Sequence, residues 1–284
     1  MKNTEESSNP VNAMSVDVED YFQVSAFEDI IDRNLWESLP LRVENNTYQI
    51  LELFEQKNIR ATFFTLGWVA ERCPNLVKDI VAQGHELANH GYSHMRATQM
   101  SEQEFREDIG KAKTILEDLS GVEVKGYRAP SYSIDTSNPW AHDQILETGH
   151  TYSSSIVPIH HDLYGIPDAP RFKYRCENGL IEIPITTTKL FDRNLPCGGG
   201  GYFRMLPYWI FRMGLNRVNQ TEHQSAIFYF HPWEIDPEQP RQHNIGLKTR
   251  VRHYLNLGKN KKKITSLLDD FGWDRVDRVF LDSI

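Results

Sequence analysis

Residues 61–94, ATFFTLGWVAERCPNLVKDIVAQGHELANHGYSH, decide the fold. The run 61–66 is rich in β-favouring residues and predicts a strand. Pro74 suits the first turn of a helix over 75–83, which a glycine ends. Residues 85–89 predict a second, short strand. A strand, a helix and another strand in succession are typical of a parallel sheet, and here histidine side chains follow the second strand directly.

The same alternation continues outside this stretch. Residues 13–18, 180–185 and 226–230 predict further strands, and the clearest helix follows Ser101, where Ser101-Glu-Gln-Glu104 forms a capping box. The sequence contains no internal repeat. It therefore predicts an α/β fold, a distorted (β/α) barrel with about seven strands.

Charge divides the chain into two unequal parts. Residues 241–284 carry ten Lys and Arg against five Asp and Glu, although the whole chain has a net charge of −8. We expect a flexible N-terminal segment over 1–12, a barrel domain over 13–240 and a basic C-terminal extension of helices over 241–284, packed on the barrel. The basic end is either a solvated surface or a patch for an acidic glycan, a lipid headgroup or a phosphate.

Composition excludes several classes of protein. Of the 284 residues, 39% are hydrophobic and 11% aromatic, which excludes disorder over the whole length. The three cysteines have no C-x-x-C spacing, so neither a disulfide framework nor a cysteine-bound structural zinc site is expected. Residues 1–10 lack the apolar core of a secretion signal and no window resembles a membrane span, so we expect a cytoplasmic protein. No nucleic-acid partner is expected.

An acidic cluster follows the first predicted strand. In Ser15-Val-Asp-Val-Glu-Asp20, Asp17 and Glu19 are two residues apart at a strand end, so they project to the same side. Three carboxylates within four residues repel one another. They need a cation or raised pKa values to coexist, unless they form a solvated acidic turn.

A pair of histidines, His90 and His94, follows the strand predicted at 85–89. Their spacing suits one divalent ion on a tight loop or a helical turn, bound through neutral imidazole nitrogens. Histidine pairs at this spacing also arise by chance, but the position directly after a strand favours a ligand role. We expect His85 and Glu86 to point elsewhere, as a pair in the core or behind the ligands.

Two further candidates also lie at predicted strand ends. Arg128, in Tyr127-Arg-Ala-Pro-Ser-Tyr132, can orient a carboxylate through a bidentate contact, unless it is an ordinary surface arginine. The amide after this turn is a candidate donor to a developing oxyanion. His231 ends an apolar strand and is either a general acid or a core histidine with satisfied hydrogen bonds.

Taken in order, these four motifs resemble the polysaccharide deacetylases of carbohydrate esterase family 4. A closer resemblance is to the deacetylase group associated with exosortase-linked exopolysaccharide loci. That resemblance rests on Asp17-Val-Glu-Asp-Tyr-Phe22, Cys197-Gly-Gly-Gly-Gly-Tyr-Phe-Arg204 and His231-Pro-Trp-Glu-Ile-Asp-Pro237. The tail Leu247-Lys-Thr-Arg-Val-Arg-His-Tyr-Leu255 is also similar to that group.

The resemblance implies metal-dependent hydrolysis of N-acetyl groups from an amino-sugar polysaccharide or its precursor, with release of acetate, in exopolysaccharide biosynthesis. His90 and His94 match the ligands of a divalent metal, for which Zn²⁺ is the expected ion. An acidic residue of the first motif completes the set. Strand alternation favours Glu19 as this ligand, with Asp20 as the alternative.

The resemblance also assigns the remaining site residues. Asp17 matches the base that takes a proton from the attacking water, and Arg128 matches the residue that keeps this base ionised and aligned. His231 matches the acid that protonates the leaving amine, while the backbone amide of Tyr132 shares the oxyanion. The residues expected to contact the substrate are Tyr202, Arg204, Trp233 and Glu234. An N-acetylated glycan is the expected partner, with a lipid-linked glycan or a membrane surface as a further candidate.

Two departures from the family pattern leave alternatives open. The family's usual adjacent aspartates are replaced by Asp17-Val-Glu19-Asp20, and some relatives with such a first motif hydrolyse cyclic amides. Tyr152 stands where many members carry an aspartate before a Ser-Ser pair. A cyclic-amide hydrolase of the allantoin-processing kind and a non-catalytic glycan-binding protein are therefore the alternative functions.

Overall fold

A parallel sheet forms the centre of the computed structural model, which describes residues 10–161 and 164–281. Within these residues the strands are β1 (Asn12–Val18), β2 (Thr62–Thr65), β3 (Glu86–Asn89), β4 (Gly126–Tyr127), β5 (Tyr152–Ser153), β6 (Tyr174–Arg175), β7 (Ile181–Glu182), β8 (Thr187–Leu190), β9 (Arg193–Pro196), β10 (Ile227–Phe230) and β11 (Trp273–Asp274).

The main sheet runs in the order β10-β1-β2-β3-β4-β5-β7-β6, and β11 pairs with β1 as a ninth strand. Neighbouring strands are parallel from β10 to β7, whereas β6 pairs antiparallel with β7. Strands β8 and β9 form a separate antiparallel hairpin. The predicted α/β fold of barrel type is confirmed. The sheet is an open, curled half-barrel, with eight strands on its path where the sequence predicts about seven.

Helices cover the sheet and the large apolar cluster behind it. They are α1 (Val43–Gln56), α2 (Gly67–Arg72), α3 (Pro74–Ala82), α4 (Glu102–Ser120), α5 (Ala141–Glu147), α6 (Gly200–Met205), α7 (Tyr208–Asn216), α8 (Leu247–Tyr254), α9 (Leu257–Asp270) and α10 (Val276–Phe280). Across the described residues, no helix combines the length and the apolar character that crossing a membrane requires.

The capping box predicted for α4 is present. The Ser101 side chain accepts a hydrogen bond from the amide of Glu104, and the Glu104 side chain accepts one from the amide of Ser101. Gly121 ends the helix in the left-handed region, at a φ of 70°, where a glycine is favoured because it has no Cβ. Local sequence chemistry therefore defines both ends of this helix.

The C-terminal extension is helical, as the sequence predicts, but it also joins the sheet. After α8 and α9, β11 pairs with β1, with Trp273 opposite Asn12. Asn12 is buried, and its side-chain amide exchanges hydrogen bonds with Asn219 at 3.1 and 2.7 Å. The first strand therefore begins inside the predicted N-terminal segment 1–12, of which residues 1–9 lie outside the described residues.

Candidate active site

Four strand ends meet at one edge of the sheet and bring the predicted motifs together. Strand β1 supplies Asp17, while His90 follows β3, Arg128 follows β4 and His231 follows β10. Because neighbouring strands are parallel and in register, their carboxyl ends lie side by side. Asp17, His90 and His231, which are up to 214 residues apart in sequence, therefore line one cavity of about 180 Å³, and Arg128 is buried beside Asp17.

Glu19, His90 and His94 form a cluster suited to a metal ion. Their nearest ligand atoms all lie within 4.8 Å of one another, and all three side chains are buried. Nδ1 of His90 contacts the carbonyl oxygen of Arg128 at 2.8 Å, which leaves Nε2 for a ligand. Oε2 of Glu19 lies against Nε2 of His94.

This donor set fits a divalent ion such as Zn²⁺. Burial lowers the pKa of His90 to about 4, so its imidazole is neutral near pH 7, as a metal ligand must be. Burial alone would raise the pKa of Glu19, but the nearby His94 and His231 hold that pKa well below its usual range. Among the described residues, the buried Oε2 of Glu19 lies against Nε2 of His94, and these two atoms belong to the cluster that can bind one ion. Two histidines and one glutamate are a known ligand set of catalytic zinc sites.

The carboxylate of Asp20, the alternative ligand, binds backbone amides outside the metal cluster. Its Oδ2 accepts hydrogen bonds from the amides of Arg42 at 2.6 Å and Val43 at 2.8 Å, and its Oδ1 accepts one from Tyr21 at 2.8 Å. The first two amides lie at the N-terminus of α1, where a carboxylate satisfies free N–H groups and the helix dipole. The structure therefore selects Glu19 for the metal cluster and corrects the alternative assignment of Asp20.

Arg128 fixes one oxygen of Asp17. The guanidinium is fully buried and donates from Nη1 to Oδ1 of Asp17 at 2.6 Å and to Oγ of Ser15 at 2.9 Å. Its Nε and Nη2 donate to the carbonyl and hydroxyl oxygens of Ser154 at 3.1 and 3.0 Å. Since every guanidinium nitrogen is occupied, Arg128 is held rigidly, and the second oxygen of Asp17 is left toward the cavity.

His231 is oriented by a carboxylate three residues further along the chain. Its Nδ1 lies 2.6 Å from Oε1 of Glu234, and its Nε2 lies 3.9 Å from Oδ2 of Asp17 and 3.6 Å from Oε1 of Glu19. Burial lowers the pKa of His231, but the negative charges of Glu19 and Glu234 outweigh burial and raise it to about 9. The imidazole is therefore protonated near neutral pH and presents a donor to the cavity.

Glu234 in turn belongs to a buried ion pair with Arg204. Nε of Arg204 donates to Oε2 of Glu234 at 2.6 Å, and its other nitrogens donate to the carbonyls of Arg252, His253 and Leu255 at 2.9, 2.8 and 3.1 Å. Both charged groups are thus engaged inside the protein. Their polar atoms hold His231 and the end of α8, but both residues also line a cavity of about 330 Å³, so the predicted contact with substrate stays a prediction.

Trp233 is buried and packs against two histidines. Its ring stacks between His231, at 5.2 Å and 18°, and His253, at 4.2 Å and 12°. Its indole Nε1 donates to Oε1 of Glu19 at 3.2 Å. These contacts give Trp233 a packing and orienting role, and its predicted contact with substrate stays a prediction, since it lines both cavities. Tyr202, by contrast, is half-buried and lines a second cavity beside the first.

The predicted oxyanion donor also has another partner. The amide of Tyr132 donates to the carbonyl of Ala129 at 3.0 Å, inside a short 3-10 turn that begins at Pro130. Ser131 and Tyr132 both have left-handed backbone conformations, with φ of 54° and 53°. Tyr132 lines the cavity, but its amide is already engaged within this turn.

Two cavities form one cleft. The second, of about 330 Å³, shares Tyr164, His231 and Trp233 with the first and is closed by Thr249 and Arg252 from α8. Sequence reasoning missed the aromatic wall of the first cavity, which includes Tyr229. Strand alternation could have identified Tyr229, since it lies two residues before His231 and projects to the same side.

Two family models match consecutive parts of the chain. The family model named polysaccharide deacetylase matches residues 27–149, and one named domain of unknown function (DUF3473) matches residues 154–281. A peptidoglycan-N-acetylglucosamine deacetylase of Bacillus cereus is 41% identical over 99 residues, which cover 34% of this chain and 36% of the relative. A peptidoglycan deacetylase of Helicobacter pylori is 30% identical over 109 residues, which cover 38% and 36%. The chain thus spans about a third of the length of these curated relatives.

Solved structures share the fold at low sequence identity. A candidate polysaccharide deacetylase from Mycobacterium smegmatis superposes with a TM-score of 0.60 at 18% identity, covering 94% of this chain and 87% of the other. A family 4 pseudoenzyme from Bacillus anthracis superposes with a TM-score of 0.51 at 15% identity, covering 96% and 66%. Residues 27–149 therefore resemble the polysaccharide deacetylase family, and the chain as a whole shares the fold of these two structures.

Proposed function

We propose that this chain hydrolyses N-acetyl groups of an amino-sugar polysaccharide or its precursor, releasing acetate and leaving a free amine. The observation that carries the proposal is the meeting of three functional units at one cavity. These are the cluster of Glu19, His90 and His94, the carboxylate of Asp17 held by Arg128, and the imidazole of His231. The deacetylase relatives support the same class of reaction.

Glu19, His90 and His94 would hold a divalent ion, for which we propose Zn²⁺. When bound, such an ion acts as a Lewis acid that polarises the acetyl carbonyl and makes water a stronger nucleophile near neutral pH. Glu19 is supported in this position by the indole of Trp233, and His90 by the carbonyl of Arg128. Contacts of this kind fix the orientation of the ligands.

Asp17 is the proposed general base. Its Oδ1 accepts a hydrogen bond from the Arg128 guanidinium, which holds the carboxylate in one orientation. Its Oδ2 takes the proton of the attacking water. Because the guanidinium is itself fixed by Ser15 and Ser154, Asp17 is held in place before the substrate arrives.

His231 is the proposed general acid. Glu234 holds Nδ1, so Nε2 is the atom that donates a proton to the nitrogen of the leaving amine. Nε2 lies 3.9 Å from Asp17, which lets the base and the acid act on the same acetamido group. The C–N bond breaks as this proton is transferred, and the products are acetate and a free amino sugar.

For the substrate, we propose an exopolysaccharide or its lipid-linked precursor, met in the cytoplasm. This part of the proposal rests on the resemblance of Asp17–Phe22, Cys197–Arg204 and His231–Pro237 to the exosortase-associated group. The cleft supports an oligosaccharide in preference to a single small amide, because the second cavity extends it by about 330 Å³ beyond the reacting groups.

Acetate release is the direct test of the proposed reaction. We expect the purified, metal-loaded chain to release acetate from oligomers of N-acetylglucosamine, and His90→Ala and His231→Ala to abolish that release. Turnover of hydantoin-like rings without acetate release from glycans would assign the cyclic-amide alternative. Tight glycan binding without any turnover would assign the binding-protein alternative.

Metal content should distinguish the two acidic residues of the first motif. Glu19→Gln is expected to lose the metal, since a neutral amide is a much weaker ligand than a carboxylate. Asp20→Asn should keep the metal and lose about 0.5–2 kcal/mol of stability, because its carboxylate caps α1. Elemental analysis and thermal unfolding of both variants measure these effects. Metal lost from Asp20→Asn but kept by Glu19→Gln would reverse the assignment.

A further inference from the structure

The C-terminal extension contains an unusual run of positive charge. Residues 239–268 include eight Lys and Arg and no Asp or Glu, in a chain with a net charge of −8. The run covers all of α8 and most of α9. Lys259 and Lys262 are exposed on α9, and this run holds no carboxylate that would neutralise them locally.

Aliphatic side chains lie exposed within the same run. Leu247, Val251 and Leu255 are 76%, 45% and 37% exposed. They recur every four residues and so share one face at and just beyond α8. Residues His253 and Tyr254 on the same helix are buried, which shows that α8 is packed and that its apolar outer face is not needed for packing.

The inner side of α8 is a wall of the cleft. Thr249, Arg252 and His253 line the second cavity, which shares His231 with the first. Arg204 also joins the last carbonyls of α8 to the Glu234 that orients His231. A surface that binds the outer face of α8 therefore lies directly beside the substrate cleft.

We propose that α8 and the first turns of α9 are a docking surface for an anionic lipid bilayer. Aliphatic side chains flanked by Lys and Arg on one helix face are the pattern of helices that lie in the membrane interface. Positive charge alone would also suit an acidic polysaccharide, but exposed Leu247 and Val251 gain nothing from a hydrated polyanion. An anionic bilayer is therefore the partner that would bind both the positive charges and the exposed aliphatic side chains.

Docking would hold the cleft at the level of the lipid headgroups. A glycan attached to a membrane lipid would then reach the acetamido-cleaving residues without leaving the bilayer. This consequence for the substrate rests on the function proposed above, whereas the docking itself does not. Binding to vesicles and hydrolysis of soluble oligomers therefore test the two proposals separately.

Vesicle sedimentation of the full chain tests the docking surface. We expect the protein to sediment with vesicles of phosphatidylcholine and phosphatidylglycerol, but not with vesicles of phosphatidylcholine alone, and to be released by added salt. Lys259→Glu/Lys262→Glu should weaken binding by at least about fivefold per lysine replaced. Leu247→Glu/Val251→Glu should weaken it by at least about tenfold, since two aliphatic contacts are lost and negative charge is added.

A matched control is available in the β8–β9 hairpin, where Phe191 is 90% exposed. Phe191→Glu adds the same kind of charge at another exposed apolar residue and should leave vesicle binding unchanged. Circular dichroism of all variants checks folding, and acetate release from soluble oligomers should be the same in Leu247→Glu/Val251→Glu as in the wild type. The docking proposal would be overturned if Leu247→Glu/Val251→Glu bound anionic vesicles as well as the wild type does. It would also be overturned if the wild type did not bind anionic vesicles, or if it bound only a soluble acidic polysaccharide.

Discussion

Replacing Asp17 by asparagine is expected to lower kcat/KM for acetate release by about 10²–10⁴-fold, the range that a positioned general base contributes. An amide oxygen can still accept the hydrogen bond from Arg128, but it cannot take a proton from water near neutral pH. Asp17 is not a member of the Glu19, His90 and His94 cluster, so the metal content should stay that of the wild type. Acetate release and elemental analysis on the same preparation measure both quantities.

Ser15→Ala is the matched control for this prediction. Ser15 accepts a hydrogen bond from the same Nη1 of Arg128, at 2.9 Å, but is not among the residues that line the cavity. Its loss should cost stability of about 1–3 kcal/mol and change kcat/KM far less than Asp17→Asn does. Wild-type activity in Asp17→Asn would contradict the assignment of Asp17 as the base.

Strand ends were the part of the site that the sequence predicted well. Strands β1, β3 and β10 are buried along their whole length, and Asp17 lies near the end of β1, while His90 and His231 directly follow β3 and β10. The choice of Glu19 over Asp20 came from strand alternation, and the cluster in the structure contains Glu19. The strand ends and the choice of Glu19 depend on residues that are close in sequence, and local sequence patterns can therefore predict them.

Contacts between distant segments were not predictable in the same way. Arg204 reaches Glu234 across 30 residues and the carbonyls of α8 across about 50, and no local pattern signals either contact. Strand β11 has two residues, too few for alternation to appear, and it is defined only by pairing with β1. For this reason the sequence did not predict that Arg204 and Glu234 bind each other inside the protein, and their contact with substrate stays a prediction.

Substitutions in the buried pair of Arg204 and Glu234 should change the stability and the activity of the protein independently. Arg204→Met removes the guanidinium and leaves the Glu234 carboxylate buried beside His231, at an expected cost of about 3–5 kcal/mol in the free energy of unfolding. Arg204→Met/Glu234→Gln removes the unpaired charge as well, so most of that loss should be recovered. Thermal or denaturant unfolding of the two variants and the wild type measures the difference.

In Arg204→Met/Glu234→Gln, we expect the activity to stay low although the free energy of unfolding recovers. In Glu234→Gln and in the double variant, the carboxylate that holds Nδ1 of His231 at 2.6 Å is gone, and an amide binds that nitrogen without negative charge. We expect kcat to fall by about 10–100-fold, as for other partners that orient a functional histidine, with KM for soluble oligomers nearly unchanged. Glu234→Asp should restore part of kcat if the carboxylate is the active feature. If the stabilised double variant regains wild-type kcat, Glu234 only packs against His231, and the ion pair serves to tie α8 to the barrel.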